Sequence, residues 1–447
     1  MRSTLILVTA CTVALLGSAV GQSPGKAQER EAFARGLVGL LAKGEFQKAG
    51  EHFDPPMRAA LPEPKIRDLW SALQLQLGEF QRIAGCREEG AGGYTLVMVT
   101  CEFARKTVDL RIALRGNGEV AGLFVVPTRD EAAFQAPAPY VNTNAFHEEE
   151  VMVGEGEWRL PGTLTTPVLT NGLRPGVVLV HGSGPNDRDE TVGANRPFRD
   201  LAWGLASKGV AVLRYEKRTK AHGEKVAATI ANLTLREETV DDALKAVARL
   251  RLSAGVDPHR VFVLGHSLGG MAAPRIGQAD PALAGLIILA GATQPLEDII
   301  LRQTRYLSSL PGGESSLSPS NLALVEAEVA KVKALTTHDA GSHTVIMGAC
   351  PSYWLDLRNY QPARVAAGLK MPILVMQGGR DYQVVQADYE GWKTGLAGLP
   401  SVSFKWYPAL NHLFASGEGV STPTEYLVAA HVHESVLVDI VEWIGRH

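Results

Sequence analysis

The stretch that decides the fold runs from Arg260 to Ala273 and reads RVFVLGHSLGGMAA. Its first part is an apolar run typical of a buried strand, and its last part contains helix-forming residues. Between them, Gly265-His266-Ser267-Leu268-Gly269 matches G-x-S-x-G, the turn in which a serine joins a strand to a helix with its hydroxyl exposed. Glycines are needed there because the serine takes a positive φ and neighbouring side chains would clash. The segment therefore predicts a strand, a tight turn and a helix, with Ser267 as a candidate nucleophile.

A serine hydroxyl needs a base to take its proton, and the base needs a carboxylate to orient it. Asp381 ends the sequence Gly-Gly-Arg-Asp after the apolar run 373–376, which places it in a loop at the carboxyl end of a predicted strand. His412 lies in Asn-His-Leu-Phe, after a predicted strand at 402–407 and before the terminal helix. We expect Ser267, Asp381 and His412 to act as nucleophile, acid and base.

An attacked carbonyl develops negative charge that preorganised N–H donors must stabilise. The backbone N–H of Leu268 begins the helix after the serine and is one such donor. The turn His181-Gly182-Ser183-Gly184-Pro185 follows the predicted strand at 177–180. We expect the N–H of Ser183 to be the second donor of this oxyanion hole.

The region around these motifs alternates apolar strands with amphipathic helices, which indicates a mainly parallel sheet covered by helices on both faces. A hairpin-like stretch at 148–165 precedes it. About 80 residues, Gly291 to Met371, separate two adjacent predicted strands and contain a stripe of Leu322, Val325, Val329 and Val332. We therefore expect an α/β fold with a helical cap at about 292–370. The predicted strands lie at 177–180, 210–215, 261–264, 286–289 and 373–376, with helices near 198–207 and 237–252.

The chain before this region predicts a separate unit. Helical spacing of apolar residues is followed by strand-like segments, so residues 28–126 read as a small α+β accessory domain of cystatin-like or nuclear-transport-factor-like form. Residues 127–140, with Pro137 and Pro139, read as a linker. Cys86 and Cys101 lie on two predicted strands of this unit and form either a disulfide or two buried thiols. Nothing catalytic is evident in it, and we expect it to serve stability or assembly.

The first residues have the layout of a secretory signal peptide, with Arg2, the apolar run 5–16 and the small residues 19–21. Residues 1–21 are therefore expected to be removed on export to the periplasm or the medium. A lipid anchor on Cys11 is the alternative, and no later stretch predicts a transmembrane segment. With 44 basic and 47 acidic residues spread along the chain, no patch suits a nucleic acid.

On these motifs the sequence resembles the α/β-hydrolase superfamily, and within it bacterial exported acyl esterases with a small N-terminal accessory domain. The resemblance rests on the string from His181 to Glu190, on the run 214–218 and on Gly265 to Gly270. It implies an α/β-hydrolase domain over residues 141–447 and hydrolysis of esters with short acyl chains, a small-molecule substrate. Residues 187–190 are expected to form a salt-bridged loop near the pocket.

Several alternatives use the same residues. A serine peptidase, a thioesterase or a lactonase would share the nucleophile, acid and base, whereas a non-catalytic protein that binds a ligand or a cell-envelope partner would not need them. No metal or organic cofactor is required by the mechanism. The pairs His431 with His433 and His338 with His343 have metal-like spacing but are expected to be solvated surface residues. The oligomeric state is left open.

Overall fold

The computed structural model describes residues 24–91, 94–168, 172–310 and 319–447. The expected signal peptide at 1–21, including Cys11, lies outside the described residues. Among the described residues, no helix is long and apolar enough to cross a membrane.

The N-terminal part consists of helices packed on an antiparallel sheet whose strands are ordered as in the chain. Buried residues of the helices and of alternate strand positions, such as Trp70 and Ile112, form one apolar cluster between the two layers. This is the α+β unit that the sequence predicts. Its elements are α1 (Pro24–Ala42), α2 (Phe46–Glu51), α3 (Pro55–Ala60), α4 (Glu63–Leu77), β1 (Phe80–Ala91), β2 (Tyr94–Phe103), β3 (Thr107–Leu114) and β4 (Val120–Pro127).

Cys86 and Cys101 are free thiols in this sheet. The register pairs Cys86 with Val99 and Cys101 with Ile83, so the two cysteines are not directly opposite each other. Burial raises the pKa of Cys86 to about 11 and that of Cys101 to about 12. Both thiols are therefore protonated and poorly reactive at neutral pH.

The segment 127–140 differs from an extended linker because it lies against the larger unit. It contains the short helix α5 (Glu131–Gln135), whose Phe134 ring lies between the guanidinium groups of Arg129 and Arg196, at 3.8 and 4.1 Å. Arg199 donates hydrogen bonds to the carbonyl oxygens of Phe134 and Ala136 at 3.1 and 2.9 Å. The carbonyl oxygens of this proline-containing segment obtain their hydrogen bonds from Arg199, and the Phe134 ring stacks on guanidinium groups. These contacts hold the segment in place.

The larger unit is built on an eight-stranded sheet in the order β12-β11-β10-β9-β7-β8-β6-β5. β5 and β6 form the predicted antiparallel hairpin, β6 pairs antiparallel with β8, and the remaining neighbours are parallel. This order and the helices on both faces are those of the α/β-hydrolase fold. The strands are β5 (Phe146–Val153), β6 (Leu160–Pro167), β7 (Arg174–Val180), β8 (Ala211–Tyr215), β9 (Val256–His266), β10 (Gly285–Leu289), β11 (Ile373–Gly378) and β12 (Val402–Tyr407).

Helices cover both faces of this sheet, and two large apolar clusters lie between the sheet and the helices. In the described part of the interval between β10 and β11, where the sequence predicts a cap, the chain forms four helices, and Val329 and Val332 of the predicted stripe are buried there. The helices are α6 (Pro197–Ser207), α7 (Arg218–Ala221), α8 (Gly223–Thr229), α9 (Asp241–Arg251), α10 (Leu268–Ala279), the cap helices α11 (Leu296–Ser309), α12 (Pro319–Ala334), α13 (Pro351–Leu357) and α14 (Pro362–Ala367), and then α15 (Gln386–Gly395) and α16 (Glu434–Gly445). Shorter 3₁₀ turns span Gly156–Trp158, Ile230–Asn232, Thr337–Asp339 and Pro423–Leu427, and a π-helical turn, Arg236–Val240, leads into α9.

The cysteine state can be tested by alkylation with iodoacetamide at pH 8 without reductant, read out by peptide mass spectrometry. We expect the peptide with Cys101 to stay unmodified in the native protein, because burial keeps the thiol protonated and inaccessible. In denaturant both cysteines should be alkylated fully. If the two formed a disulfide, neither would be alkylated in denaturant until a reductant was added.

Candidate active site

Ser267 occupies a strained turn between β9 and α10, with φ 53° and ψ −114°. Glycine is required on both sides because the backbone approaches itself closely. A Cβ on Gly265 would lie 2.2 Å from the carbonyl oxygen of Gly269, and a Cβ on Gly269 would lie 2.2 Å from that of Val180. The turn therefore presents Ser267 at the carboxyl end of the sheet, beside the end of β7.

Asp381 and His412 meet although 31 residues separate them. The Nδ1 atom of His412 lies 2.6 Å from Oδ2 of Asp381, and both side chains are buried. The other carboxylate oxygen accepts the backbone N–H groups of Gln383 and Val384 at 2.8 and 2.9 Å, and the Gln377 amide donates to Oδ2 at 3.2 Å. The carboxylate is thus fixed in orientation, and the Nδ1–H of His412 donates to it.

The loop that carries His412 is held by its neighbour Asn411. The side-chain oxygen of Asn411 accepts the backbone N–H groups of Leu413 and Ala415 at 3.0 and 3.2 Å. Its amide nitrogen donates to Glu425 at 3.0 Å. These bonds tie the loop to itself and to the following segment, so the imidazole keeps one position relative to the sheet.

Four of the five predicted site residues line one cavity of about 1080 Å³: Ser267, His412, Ser183 and Leu268. Asp381 lies behind His412, joined to it through the hydrogen bond to Nδ1. Ser267 and Ser183 are partly exposed, whereas Leu268, His412 and Asp381 are buried, and a nucleophile must be exposed to meet a substrate. The fold thus brings together residues that are up to 229 positions apart in the chain (183 and 412).

Comparison with known proteins identifies the family of the larger unit. Residues 174–417 match the family described as serine aminopeptidase, S33. Over 94% of this chain and 95% of its own length, the esterase EstD of Thermotoga maritima is 38% identical. The chain belongs to this family of α/β-hydrolases. Residues 34–123 of this hydrolase match a second family, described only as a protein of unknown function (DUF3887).

Solved structures that resemble this chain are more distant in sequence. An esterase of Pyrococcus furiosus is 18% identical, with 67% of this chain and 91% of that chain covered and a TM-score of 0.43. A dienelactone hydrolase of Anabaena variabilis is 19% identical, with 68% and 99% covered and a TM-score of 0.39. An acylaminoacyl peptidase of Pyrococcus horikoshii is 13% identical, with 81% and 56% covered and a TM-score of 0.45.

The loop of the hydrolase that carries Ser183 is fixed through the peptide groups of Gly182. The backbone N–H of Gly182 donates to Oε1 of Glu190 at 2.6 Å. Its carbonyl oxygen accepts from the Lys217 ammonium at 2.8 Å and from the Asn186 amide at 3.1 Å. Because both the N–H and the C=O of Gly182 are held, the next N–H, that of Ser183, has little freedom to turn away from the cavity.

Glu190 also forms a buried ion pair with His266, whose Nδ1 lies 2.8 Å from Oε2. Burial lowers the pKa of His266, but the Glu190 carboxylate raises it by more, so the pKa lies above the ordinary histidine value. Burial raises the pKa of Glu190, but His266 and the N–H of Gly182 lower it by more. The pKa of Glu190 therefore lies below the ordinary glutamate value. His266 Nε2 in turn lies 3.0 Å from the carbonyl oxygen of His412.

Glu190 and His266 therefore connect the Ser183 loop, the serine turn and the His412 loop. Sequence reasoning missed this role for His266, which occupies the variable position before the serine. The signal for Glu190 was its place at the end of the string that begins at His181, where a salt-bridged loop was expected. Two more residues of the expected loop are salt-bridged, since Arg188 pairs with Glu216 at 2.9 Å and Asp189 pairs with Arg214. Asp187 instead accepts the backbone N–H groups of Asp189 and Thr191.

His431 and His433, one of the two pairs with metal-like spacing, have other partners. His431 lies 3.1 Å from an Asp200 carboxylate oxygen, and Nδ1 of His433 accepts the backbone N–H of Ser435 at the start of α16. Across the described ranges, no group of three or more potential ligands is arranged for a metal ion.

The connecting role of Glu190 can be tested with Glu190→Ala and Glu190→Gln. We expect Glu190→Ala to lower kcat for a cleaved ester by about 10- to 100-fold, because the Gly182 peptide loses its anchor and small displacements of catalytic groups are costly. KM should stay within about twofold. Glu190→Gln retains an acceptor for the Gly182 N–H and should lose less.

Steady-state kinetics and thermal unfolding check this, with the exposed substitution Glu155→Gln as the matched control. If Glu190→Ala folded normally and kept the kcat of the parent protein, Glu190 would have no positioning role.

Proposed function

We propose that this protein hydrolyses carboxylic esters through a covalent acyl-serine intermediate. The observation that carries the proposal is the hydrogen bond between His412 and Asp381 beside the strained turn of Ser267, in one cavity. Since Nδ1 of His412 donates to Asp381, Nε2 is the ring nitrogen that can accept a proton. The likeness to a named esterase over nearly the whole chain supports an ester as substrate.

In the proposed reaction the Oγ atom of Ser267 attacks the ester carbonyl while His412 Nε2 takes the hydroxyl proton. The oxyanion that forms accepts hydrogen bonds from the N–H groups of Ser183 and Leu268, and Asp381 stabilises the imidazolium. The tetrahedral intermediate collapses, and the C–O bond to the alcohol breaks as His412 returns the proton to the leaving oxygen. Water, deprotonated by His412, then attacks the acyl-serine, which releases the carboxylic acid and regenerates Ser267.

A peptidase is the second candidate, because the family is described as a serine aminopeptidase. An aminopeptidase must recognise the positively charged amino terminus of its substrate, for which a carboxylate that lacks a cationic partner is suited. Among the described acidic residues that line the cavity, three already pair with a basic side chain: Glu88 with Arg30, Asp189 with Arg214 and Glu190 with His266. Asp187 is held instead by the backbone N–H groups of Asp189 and Thr191, both of which donate to its Oδ1. Asp187 is therefore the carboxylate that an amino terminus could contact, and the likeness to a named esterase is what favours the ester.

The short acyl chain and the export of the protein are further parts of this proposal. Short acyl groups follow from the resemblance to exported acyl esterases. Export follows from the charged, apolar and small residues at the amino terminus. Amino-terminal sequencing of the protein from a cell that exports it should begin close to residue 22, and an intact terminus would contradict export.

The proposed activity is tested with nitrophenyl esters from two to sixteen acyl carbons. We expect the highest kcat/KM for the shortest chains and a loss of at least about 10³-fold in Ser267→Ala, because the acyl-serine cannot form. Ser71→Ala, at an exposed serine of α4, is the matched control and should keep full activity. An aminoacyl nitroanilide series measures the peptidase alternative. Retention of ester hydrolysis by Ser267→Ala would contradict the proposed mechanism, and cleavage of the anilides alone would favour the peptidase.

A further inference from the structure

The sheet of the N-terminal part has two different faces. One face packs on the helices α1–α4 through residues such as Val97, Val99 and Leu110. The alternate residues point to the other side, because successive side chains of a strand alternate between the faces of a sheet. We call this side the outer face and define it by Leu96, Met98, Arg111, Phe124 and Val126.

The outer face lies against the hydrolase part of the chain. Met98, Phe124 and Val126 are buried in a cluster of their own, and Leu427 packs against it. Leu427 follows Tyr426, which lines the same cavity as Ser267. The contact therefore joins the outer face to a segment that lines the same cavity as Ser267, and Phe134 of α5 lines that cavity too.

The cavity at Ser267 is consequently lined by both parts of the chain. The hydrolase contributes the candidate catalytic groups and the apolar cap residues Leu296, Ile299 and Leu307. The N-terminal part contributes Leu96, Met98 and Val126 of the outer face. Val108 and Val125 of the helix-packed face, Leu73 and Leu77 of α4, and Phe134 of α5 also line the cavity.

The size of this cavity indicates what it holds. At about 1080 Å³ it lies at the upper end of the range for sites that enclose a drug-sized ligand. A short acyl group would fill only a small part of it. The remaining volume is available to the alcohol half of an ester, on the side where the outer face forms the wall.

We propose that the N-terminal sheet is a substrate-binding wall that contacts a large apolar alcohol group of the ester. This inference rests on the proposed esterase function. It assigns a role to a region whose matching family is described only as being of unknown function. The sheet is thus a determinant of specificity as well as a support for the fold.

Two charged residues on this side of the sheet are engaged within the protein. Arg87, opposite Met98 in the register, pairs with the buried Asp109 at 2.7 Å. The Arg111 guanidinium lies over the Phe124 ring at 4.8 Å. With these charges engaged inside the protein, the leucine, methionine and valine side chains are the groups that gain by excluding water from a ligand.

The test compares two esters with the same acyl group, nitrophenyl acetate and fluorescein diacetate, which differ in the size of the alcohol. Both pass through the same acetyl-serine, so a difference in kcat/KM reports the step in which the alcohol is bound. Leu96→Trp places a large ring on the wall and should lower kcat/KM for fluorescein diacetate at least about 10-fold, leaving nitrophenyl acetate within about twofold. Leu96→Ala, which removes apolar contact, should raise KM for the large ester about three- to tenfold.

Leu75→Trp is the matched control, because Leu75 lies on α4 of the same part of the chain, is 83% exposed and does not line the cavity. Thermal unfolding of each variant shows whether the fold is kept. If the Leu96 variants fold and change kcat/KM equally for both acetates, or change neither value, the inference is wrong. The proposed esterase function would not be affected by that result. If Leu96→Trp slowed only nitrophenyl dodecanoate, the wall would bind the acyl half and the assignment to the alcohol would be wrong. If the parent protein cleaved no ester, the proposed function and this inference would both fail.

Discussion

The close approach of backbone where β7 and β9 end is the constraint on which the rest of the site depends. Gly269 leaves no room for a Cβ because the carbonyl oxygen of Val180 lies where that atom would be. The serine turn and the loop after β7 are thereby held in contact, and these two segments carry the proposed oxyanion donors, the N–H groups of Leu268 and Ser183. Parallel neighbours in the sheet are required for this contact, since the carboxyl ends of β7 and β9 must lie side by side.

A layer of buried charge supports that contact. Glu190 holds the Gly182 N–H and pairs with His266, while Lys217 holds the Gly182 carbonyl and pairs with Glu238 at 2.9 Å. Buried ion pairs are costly to desolvate and often add little stability. Here the charges hold the peptide groups of Gly182 in the loop that carries Ser183, so their cost is offset in positioning. The outer face of the N-terminal sheet lines the same cavity, to which both parts of the chain therefore contribute.

Much of the larger unit could be predicted from sequence because each strand and each motif is local. The strand before Ser267, the glycines around it and the loops of Asp381 and His412 are all readable from short patterns. The stripe of Val329 and Val332 predicted a packed helix in the cap for the same reason. The segment 127–140 was harder, because its proline-rich composition indicates a linker, whereas Arg196 and Arg199, far along the chain, hold it in place.

The fold class, the order of the candidate catalytic residues and the existence of a small α+β unit can be predicted from the sequence, since they follow from periodicity and from the spacing of special residues. Three features are visible only after the chain has packed. His266 and Glu190 connect three loops, Cys86 and Cys101 are not opposite in the register, and the outer face of the N-terminal sheet lines the cavity. Each of these depends on which side chains face each other across elements that are distant in the chain. Local patterns carry no information about such pairings, because they are fixed by how whole layers pack.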